Sequence, residues 1–451
     1  MMAGSPGPYS PVPKGSKYNR RIMRSRLLQA GTIAGVVAIG AAVLVAQQQP
    51  PPTQQQGQQQ QQGGQTAGGQ QQTGRGGRGR GVQIPEGQEC PPGMSMTRPG
   101  TCQAPEFPAP SILDYRPRNT LVTPANPSQK AKFPVIDYHG HAGGRLGTPE
   151  GLNGLMAALD ELNVKLFVAA DGISGANLER VMKALAASPH KDRVRPFTTI
   201  NFSNVGPGWA EKAVAQLEAD VKAGAVGVGE ISKGFGLRTR KPDGSLLKVD
   251  DPELDPVWEA CARLNIPVFI HTAEPQEFFE PIDFKNERWL ELALHNDRRY
   301  PADQFPRFEE LMAQRDRLFK KHPKTRFVAA HFGWHANDLA RLGKMLDAMP
   351  NVYTEMGAIL YDIGRQPRGA HDFLVKYQDR VLFGKDAFEP TEYPTYWRVL
   401  ETRDEYFPYY RDYHAFWKMY GVELPDAVLK KIYYQNALKI TPGLPQTGWP
   451  R

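Results

Sequence analysis

The sequence contains little cysteine, and its larger part has almost no net charge. Only 3 of the 451 residues are Cys, which excludes a disulfide-organised scaffold and a cysteine-based zinc cluster. The net charge of +8 comes from the N-terminal arm, because residues 1–130 contain 13 Lys or Arg against 4 Asp or Glu, whereas residues 131–451 contain 42 against 43. The larger part therefore lacks the basic surface typical of nucleic-acid binding, and we expect no nucleic-acid partner.

The arm begins with a basic region, residues 1–26, which is followed by an apolar stretch, residues 27–46. This order is typical of a signal peptide or of an uncleaved membrane anchor, and the length of the apolar run leaves both open. Because basic flanks stay in the cytoplasm, we expect the rest of the chain to be exported. It would be periplasmic, or would face away from the cytoplasm if the anchor is not cleaved.

Two further segments precede the main domain. Residues 47–89 are rich in Gln, Gly and Pro, a composition that cannot bury enough apolar surface to fold, and we predict a disordered linker. Residues 90–130 are predicted to be extended and bracketed by Cys90 and Cys102, which can form a disulfide in an oxidising compartment. Cys261 lies at helical spacing among apolar residues and is predicted to be a buried, inert thiol.

From residue 131 to residue 451, short β-branched runs alternate with helical patterns. The predicted strands are 133–138, 164–169, 194–200, 225–231, 267–270, 326–330, 351–354 and 380–383. Eight such alternations are what a parallel (β/α)8 barrel requires. An open doubly wound sheet is the alternative, but no Gly-x-Gly-x-x-Gly follows the first strand. We therefore predict an α/β fold, a TIM-like (β/α)8 barrel, with a long insertion at 274–306 after the fifth strand.

Polar side chains follow five of these strands where each strand ends. They are His139 and His141 on the first, Glu230 on the fourth, His271 on the fifth, His331 on the sixth and Asp386 on the eighth. Barrel enzymes place catalytic groups at the C-terminal ends of strands, so we expect these side chains to converge. The two histidines of the first strand, at i and i+2, face one side and can bind one metal. Glu230 could instead form an ion pair with Lys233 or Arg238, and Glu355 is interpreted as a substrate-pocket or solvated residue.

The ordered set His-x-His, His, His, Asp resembles the amidohydrolase superfamily, in its amidohydrolase-related branch, over residues 133–440. The resemblance implies a barrel hydrolase with one or two divalent metals. It implies that the metal ligands are His139, His141, His271 and Asp386, and that His331 is a second-metal ligand or positions the reacting carbonyl. Two departures matter: many relatives have Lys at the position of Glu230, and Gly-Thr-Asp in place of Gly384-Lys385-Asp386. Glu230 leaves open whether the site holds one metal or two.

A divalent ion held by three imidazoles and one carboxylate can activate water at neutral pH. We expect zinc, one per chain, with two as the alternative. Asp386 would accept the proton of the water, and His331 or the metal would polarise the carbonyl. The expected function is hydrolysis of a C–N or C–O bond, as in an amide, ester or lactone, in a small molecule.

Two other functions stay open at this stage. The same branch contains non-oxidative decarboxylases of aromatic or muconate-type acids, which the motif does not separate from hydrolases. A degenerate barrel on a membrane tether would instead be a non-catalytic binding protein. The sequence predicts neither the substrate nor the oligomeric state.

Overall fold

The computed structural model describes residues 81–414 and 417–450. The chain divides into two units, Met1–Gln83 and Ile84–Arg451, with the boundary inside the predicted linker 47–89. The predicted basic region 1–26, the apolar stretch 27–46 and most of the linker lie outside the described residues. Among the residues that are described, no helix is long and apolar enough to cross a membrane.

The second unit is built on eight parallel strands. In chain order they are β1 (Val135–His141), β2 (Val164–Ala169), β3 (Val194–Pro196), β4 (Val228–Ile231), β5 (Val268–Ile270), β6 (Phe327–Ala329), β7 (Val352–Glu355) and β8 (Val381–Leu382). Neighbours pair in parallel from β1 to β3 and from β4 to β8, and a bridge between Thr198 and Val228 joins the two sets. A short strand, β9 (Asp386–Ala387), pairs with β1, and the Tyr138 amide donates to the Phe383 carbonyl. These contacts return the chain to the first strand, in the order that the predicted (β/α)8 fold requires.

The strand order is as predicted, but some strand ends differ. β1 continues to His141, past the predicted end at residue 138, because Gly140 and His141 pair with β9. β3 ends at Pro196 rather than at residue 200, since the following residues make single contacts with neighbouring strands instead of a continuous ladder. The first strand therefore extends directly into the predicted site.

The helices follow the strands and cover the outside of the barrel. They are α1 (Pro149–Leu162), α2 (Ala176–Ala186), α3 (Trp209–Ala223), α4 (Asp255–Arg263), α5 (Trp289–Leu294), α6 (Phe308–Lys321), α7 (Leu339–Ala348), α8 (Leu360–Arg365), α9 (Pro367–Lys376), α10 (Tyr393–Glu401), α11 (Asp426–Lys430) and α12 (Asn436–Ile440). In α1 the Thr148 hydroxyl accepts from the Gly151 amide, Pro149 occupies the first turn, and Asn163 ends the helix in the left-handed conformation. These are ordinary start and stop signals, and they set the two ends of α1.

The insertion after β5 is anchored to the barrel by aromatic packing. The ring of Phe279 stacks on Tyr300 with centroids 5.2 Å apart and meets Phe308, the first residue of α6, at 5.7 Å. Within the insertion, Arg288 and Glu291 form a buried ion pair. The segment is thus a packed part of the barrel rim above β5 and β6.

The N-terminal part of this unit carries the predicted disulfide. Cys90 and Cys102 are bonded to each other, and Cys102 lies in a hairpin formed by Ser95–Arg98 and Thr101–Gln103. Cys261 is the buried free thiol that the sequence predicts, and burial raises its pKa to about 12. This thiol is therefore protonated and unreactive at neutral pH.

Candidate metal centre

The six side chains predicted from strand ends meet at the C-terminal end of the barrel. Nε2 of His139 lies 3.2 Å from Nε2 of His141, both on β1. Nδ1 of His271, directly after β5, lies 3.2 Å from Nε2 of His331, which follows β6. Four imidazole nitrogens from three strands thus face one another in pairs.

The two carboxylates complete two adjoining groups of donor atoms. Oδ1 of Asp386 lies 3.5 Å from Nε2 of His141 and 3.8 Å from Nε2 of His139. Oε1 of Glu230 lies 2.7 Å from Nδ1 of His271, while its Oε2 lies 3.3 Å from Nε2 of His141. The side chain of Glu230 therefore contacts both groups at once.

The alternative role considered for Glu230, an ion pair with a nearby cation, is wrong. Lys233 pairs with Glu274 at 2.6 Å, and the guanidinium of Arg238 lies over the rings of Tyr300 and Phe305. Both cations therefore have partners other than Glu230. The carboxylate of Glu230 instead lies among the imidazoles of the cluster.

The contacts of the outer ring nitrogens show that this donor set suits a metal. Nδ1 of His139 lies 3.1 Å from Oε1 of Glu355, and Nδ1 of His331 lies 2.8 Å from the Gly357 carbonyl. Because a carboxylate and a carbonyl only accept, each Nδ1 carries a proton, and in the neutral ring Nε2 keeps its lone pair. Lone pairs and carboxylate oxygens that converge in this way match the ligands of a divalent cation such as zinc.

The other two imidazoles also have carboxylates on their outer side. Nε2 of His271 is buried without a hydrogen-bond partner in the described part of the chain and lies 3.5 Å from Oε2 of Glu274. Nδ1 of His141 lies 3.7 Å from Oδ1 of Asp171. Sequence analysis missed both acids. Asp171 stands two residues after β2, so the rule that located the other donors could have found it.

Glu355 connects two of the histidine-bearing segments. It ends β7 and is fully buried, so its interpretation as a solvated or substrate-facing residue is wrong. Besides contacting His139, it accepts hydrogen bonds from the amides of His331 at 2.7 Å and Gly357 at 2.6 Å. Burial acts to raise the pKa of Glu355, but His139 and His331 hold it below its usual value. Glu355 is therefore a carboxylate that positions His139 and His331.

The backbone that carries His331 adopts an unusual conformation. His331, Phe332, Gly333 and Trp334 all have positive φ, between 53° and 57°. Such a left-handed turn costs roughly 1–2 kcal/mol for each non-glycine residue. Buried Arg315 donates to the Gly333 carbonyl at 2.6 Å, and the indole of Trp334 stacks on the His331 ring with centroids 4.5 Å apart. These contacts offset the strain and aim His331 at the cluster.

The charges of the site are balanced between imidazoles and carboxylates. Burial acts to raise the pKa of Glu230, yet His139 and His271 hold it well below its usual range. Burial acts to lower the pKa of His141, but Asp171 and Glu230 outweigh it and raise that pKa to about 9. Burial also acts to lower the pKa of His271, but Glu230 and Glu274 outweigh it and raise that pKa to about 9. Without metal, both rings are therefore protonated at neutral pH.

Metal binding is consequently expected to release protons, since a ligating imidazole must be neutral. At pH 7.5, which is below the pKa of about 9 for His141 and His271, binding should release at least one proton. Affinity should fall as the pH is lowered and should level off above pH 9. Titration calorimetry in buffers of different ionisation enthalpy counts these protons. A count of zero at pH 7.5 would contradict the charge balance described above.

Gly384, just before the Lys385-Asp386 pair, permits a close approach to Glu355. A Cβ at this position would lie 2.3 Å from Oε2 of Glu355 and 2.7 Å from Cβ of His139. We therefore expect Gly384→Ala to lower the free energy of unfolding by about 1–3 kcal/mol and to weaken metal binding, because Glu355 and His139 must move. Urea unfolding and zinc titration measure the two effects.

Gly154→Ala provides the matched control for that substitution. Gly154 lies within α1, and a Cβ there would meet nothing within 4 Å. Since alanine is favoured over glycine in a helix by roughly 0.5–1 kcal/mol, this variant should be slightly more stable and should bind metal normally. Equal stability changes in the two alanine variants would show that Gly384 is not a steric requirement.

A cavity of about 370 Å³ opens beside the cluster, and His141 and Glu230 form part of its wall. Phe202 and Phe235 also line it, with stacked rings 4.6 Å apart. The hydroxyl-bearing residues of the wall are Thr199, Ser232 and Thr239. Among the described residues, no Lys or Arg lines this cavity. The space beside the metal ligands is therefore lined by aromatic rings, hydroxyls and the carboxylates of Asp171 and Glu230, and it is not basic.

A family model described as Amidohydrolase matches residues 128–441, whereas no curated protein matches the chain. Among solved structures, the chain is similar to an uncharacterized TIM-barrel protein from Bordetella bronchiseptica (17% identity, 69% of this chain and 99% of that chain covered, TM-score 0.44). It is also similar to 4-oxalomesaconate hydratase from Rhodopseudomonas palustris (15%, 69% and 96%, TM-score 0.40). A third similar structure is a probable 2-pyrone-4,6-dicarboxylic acid hydrolase from Acinetobacter baumannii (14%, 68% and 98%, TM-score 0.35). Because the family match extends over more than half of the length of this chain, the chain belongs to the amidohydrolase family.

Proposed function

We propose that this amidohydrolase-family enzyme is a metal-dependent hydrolase that cleaves a C–N or C–O bond of a small molecule, as in an amide, ester or lactone. The observation that carries the proposal is the convergence of four imidazole nitrogens and two carboxylates on one point of the barrel rim. A carboxylate and a carbonyl accept from the outer nitrogens of His139 and His331 and so orient these rings, while a carboxylate lies within 4 Å of the outer nitrogen of His271 and of His141. A cluster of this kind is typical of a metal site.

The proposed ligands fall into two positions. His139, His141 and Asp386 would hold one cation, while His271 and His331 would hold a second. Glu230 would contribute to both, because its carboxylate lies 2.7 Å from Nδ1 of His271 and 3.3 Å from Nε2 of His141. Zinc suits these nitrogen and oxygen ligands. This proposal differs from the single ion expected from the sequence, and the contacts of Glu230 on both sides support the change.

A divalent cation held there supplies Lewis-acid chemistry, which polarises a carbonyl and makes water a stronger nucleophile near neutral pH. Asp386 is the cluster's most accessible acid, with 33% of its side chain exposed against 11% for Glu230. We assign to Asp386 the transfer of the water proton to the leaving group. His331 is a ligand in the two-cation arrangement. If one cation binds, Nε2 of His331 is free to position the reacting carbonyl.

The two alternative functions are less well supported. A decarboxylase of aromatic or muconate-type acids must bind the substrate carboxylate, and in the described structure no Lys or Arg lines the cavity beside His141 and Glu230 to assist a metal in that task. Phenyl rings and hydroxyls there suit an uncharged acyl compound better. A non-catalytic binding protein would have no reason to keep an outer partner behind all four imidazoles.

The proposal includes a location outside the cytoplasm, with the N-terminal arm serving as a signal peptide or membrane anchor. The Cys90–Cys102 disulfide supports this location, because disulfides persist in oxidising compartments.

The test of the proposed function compares the purified full chain before and after metal removal. The protein is treated with a chelator, reloaded with zinc, and assayed on neutral amides, esters and lactones and on aromatic acids with carbon dioxide detection. We expect hydrolysis that disappears with the metal and returns with zinc. Release of carbon dioxide without hydrolysis would establish a decarboxylase, and turnover that does not depend on metal would contradict the proposal.

A further inference from the structure

A second cavity adjoins the one beside the metal ligands. It has a volume of about 490 Å³ and is bounded by the loops after β2 and β3 and by the first turn of α3. Thr199 and Ile200 line both cavities. A substrate whose reacting bond lies at the metal centre could therefore extend past Thr199 into this second space.

Polar groups of the second cavity lack partners within the protein. In residues 81–414 and 417–450, the side chains of Ser174, Thr199 and Asn204 make no hydrogen bond, and Lys212 makes no ion pair. All four can donate hydrogen bonds. Lys212 is also the one charged side chain among the described residues that line this cavity. The cavity therefore offers several free donors and no carboxylate.

An aromatic row connects the two cavities. Trp209, in the wall of the second cavity, stacks on Phe202 with centroids 6.2 Å apart, and Phe202 stacks on Phe235 in the wall of the first. The indole nitrogen of Trp209 donates to the Asn201 carbonyl at 2.9 Å, which fixes the ring. Because the rings stack on one another and Trp209 and Phe235 are buried, the row forms a packed apolar wall between the cavities. An apolar wall with free donors beside it suits an elongated ligand that has both apolar and oxygen-bearing parts.

We propose that the second cavity binds the part of the substrate that lies away from the cleaved bond, and that this part is a chain rich in hydrogen-bond acceptors such as ether, hydroxyl or carbonyl oxygens. The inference rests on the proposed function. The free donors of Ser174, Thr199, Asn204 and Lys212 select the acceptors. The Trp209–Phe202–Phe235 row supports the chain between them.

The test uses two p-nitrophenyl esters of equal chain length, those of heptanoic acid and of (methoxyethoxy)acetic acid, in which two methylene groups are replaced by ether oxygens. For the zinc-loaded full chain, the ratio of kcat/KM for the ether ester to that for heptanoate is measured. Comparing this ratio among variants cancels the intrinsic reactivity of the esters. Thr199→Val, which removes the hydroxyl, and Lys212→Met should each lower the ratio about three- to tenfold, mainly through KM.

Two matched controls separate hydrogen bonding from shape and general charge. Thr199→Ser keeps the hydroxyl, and Lys222→Met removes an exposed lysine from the other end of α3, so both should leave the ratio within about twofold of wild type. Zinc-dependent hydrolysis of both esters with a ratio unchanged in Thr199→Val and Lys212→Met would overturn this inference alone. Absence of zinc-dependent hydrolysis of both esters, and of the amides and lactones used to test the proposed function, would contradict that function.

Discussion

His139→Ala is expected to lower kcat/KM by about three orders of magnitude or more, since metal chemistry supplies several kcal/mol of transition-state stabilisation. The imidazole is fully buried, and its Nε2 lies within 4 Å of His141, Glu230 and Asp386. No nearby side chain can replace that nitrogen, so the cation proposed at His139, His141 and Asp386 should be lost. Asp386→Ala should be at least as damaging because it also removes the proposed proton acceptor.

The control for this prediction is His190→Ala. The imidazole of His190 contacts Asn153 at 3.0 Å and takes no part in the cluster. Metal content and kcat/KM are measured for all three variants, and the His190 variant should match wild type in both. Full activity or full metal content in His139→Ala would exclude this residue as a ligand.

Glu355→Gln is expected to reduce both zinc affinity and kcat by about 10–100-fold, the usual effect of losing a partner behind a metal ligand. Glutamine has the shape of glutamate but only one accepting oxygen. It cannot accept from the ring of His139 and the amide of His331 through one oxygen and from the amide of Gly357 through the other. One buried donor is left without an acceptor, and the rings of His139 and His331 lose their fixed orientation.

Glu401→Gln separates this positioning role from a purely structural one. Glu401 accepts from the Tyr433 hydroxyl at 2.7 Å and from the Lys132 amide at 2.9 Å, away from the metal centre. Its substitution should lower thermal stability without changing zinc affinity. If Glu355→Gln behaves in the same way, Glu355 supports the fold and does not position the ligands.

The barrel and its six inward donors could be predicted because both depend on local patterns. Each strand is a short β-branched run, and each donor stands at or just after the end of such a run. In a parallel barrel the C-terminal ends of all strands face one rim. The positions of His139 and His331 along the chain were therefore sufficient to predict that these side chains lie close together.

The roles of Glu355 and Glu274 as outer partners could not be predicted in the same way. β7 brings Glu355 against Nδ1 of His139, the nitrogen of the imidazole ring that faces away from the cluster. This contact joins residues that are far apart in sequence. Glu274 lies in the insertion, whose path has no periodic signal. The left-handed turn at His331 was also missed, because it depends on buried Arg315 from α6 rather than on a turn sequence. These features follow from packing between different elements. The hydrophobic periodicity within a single helix or strand does not encode such packing.

The number of zinc ions per chain, compared between wild type and Glu230→Gln, tests the central claim most directly. The account predicts about two equivalents in the zinc-loaded wild-type protein, since Glu230 contacts both groups of imidazoles and a carboxylate can serve two cations. An amide cannot take this place, so Glu230→Gln should retain about one equivalent and lose most activity. One equivalent in both proteins would contradict the two-cation arrangement, and no bound zinc in either would contradict the assignment of this cluster as a metal centre.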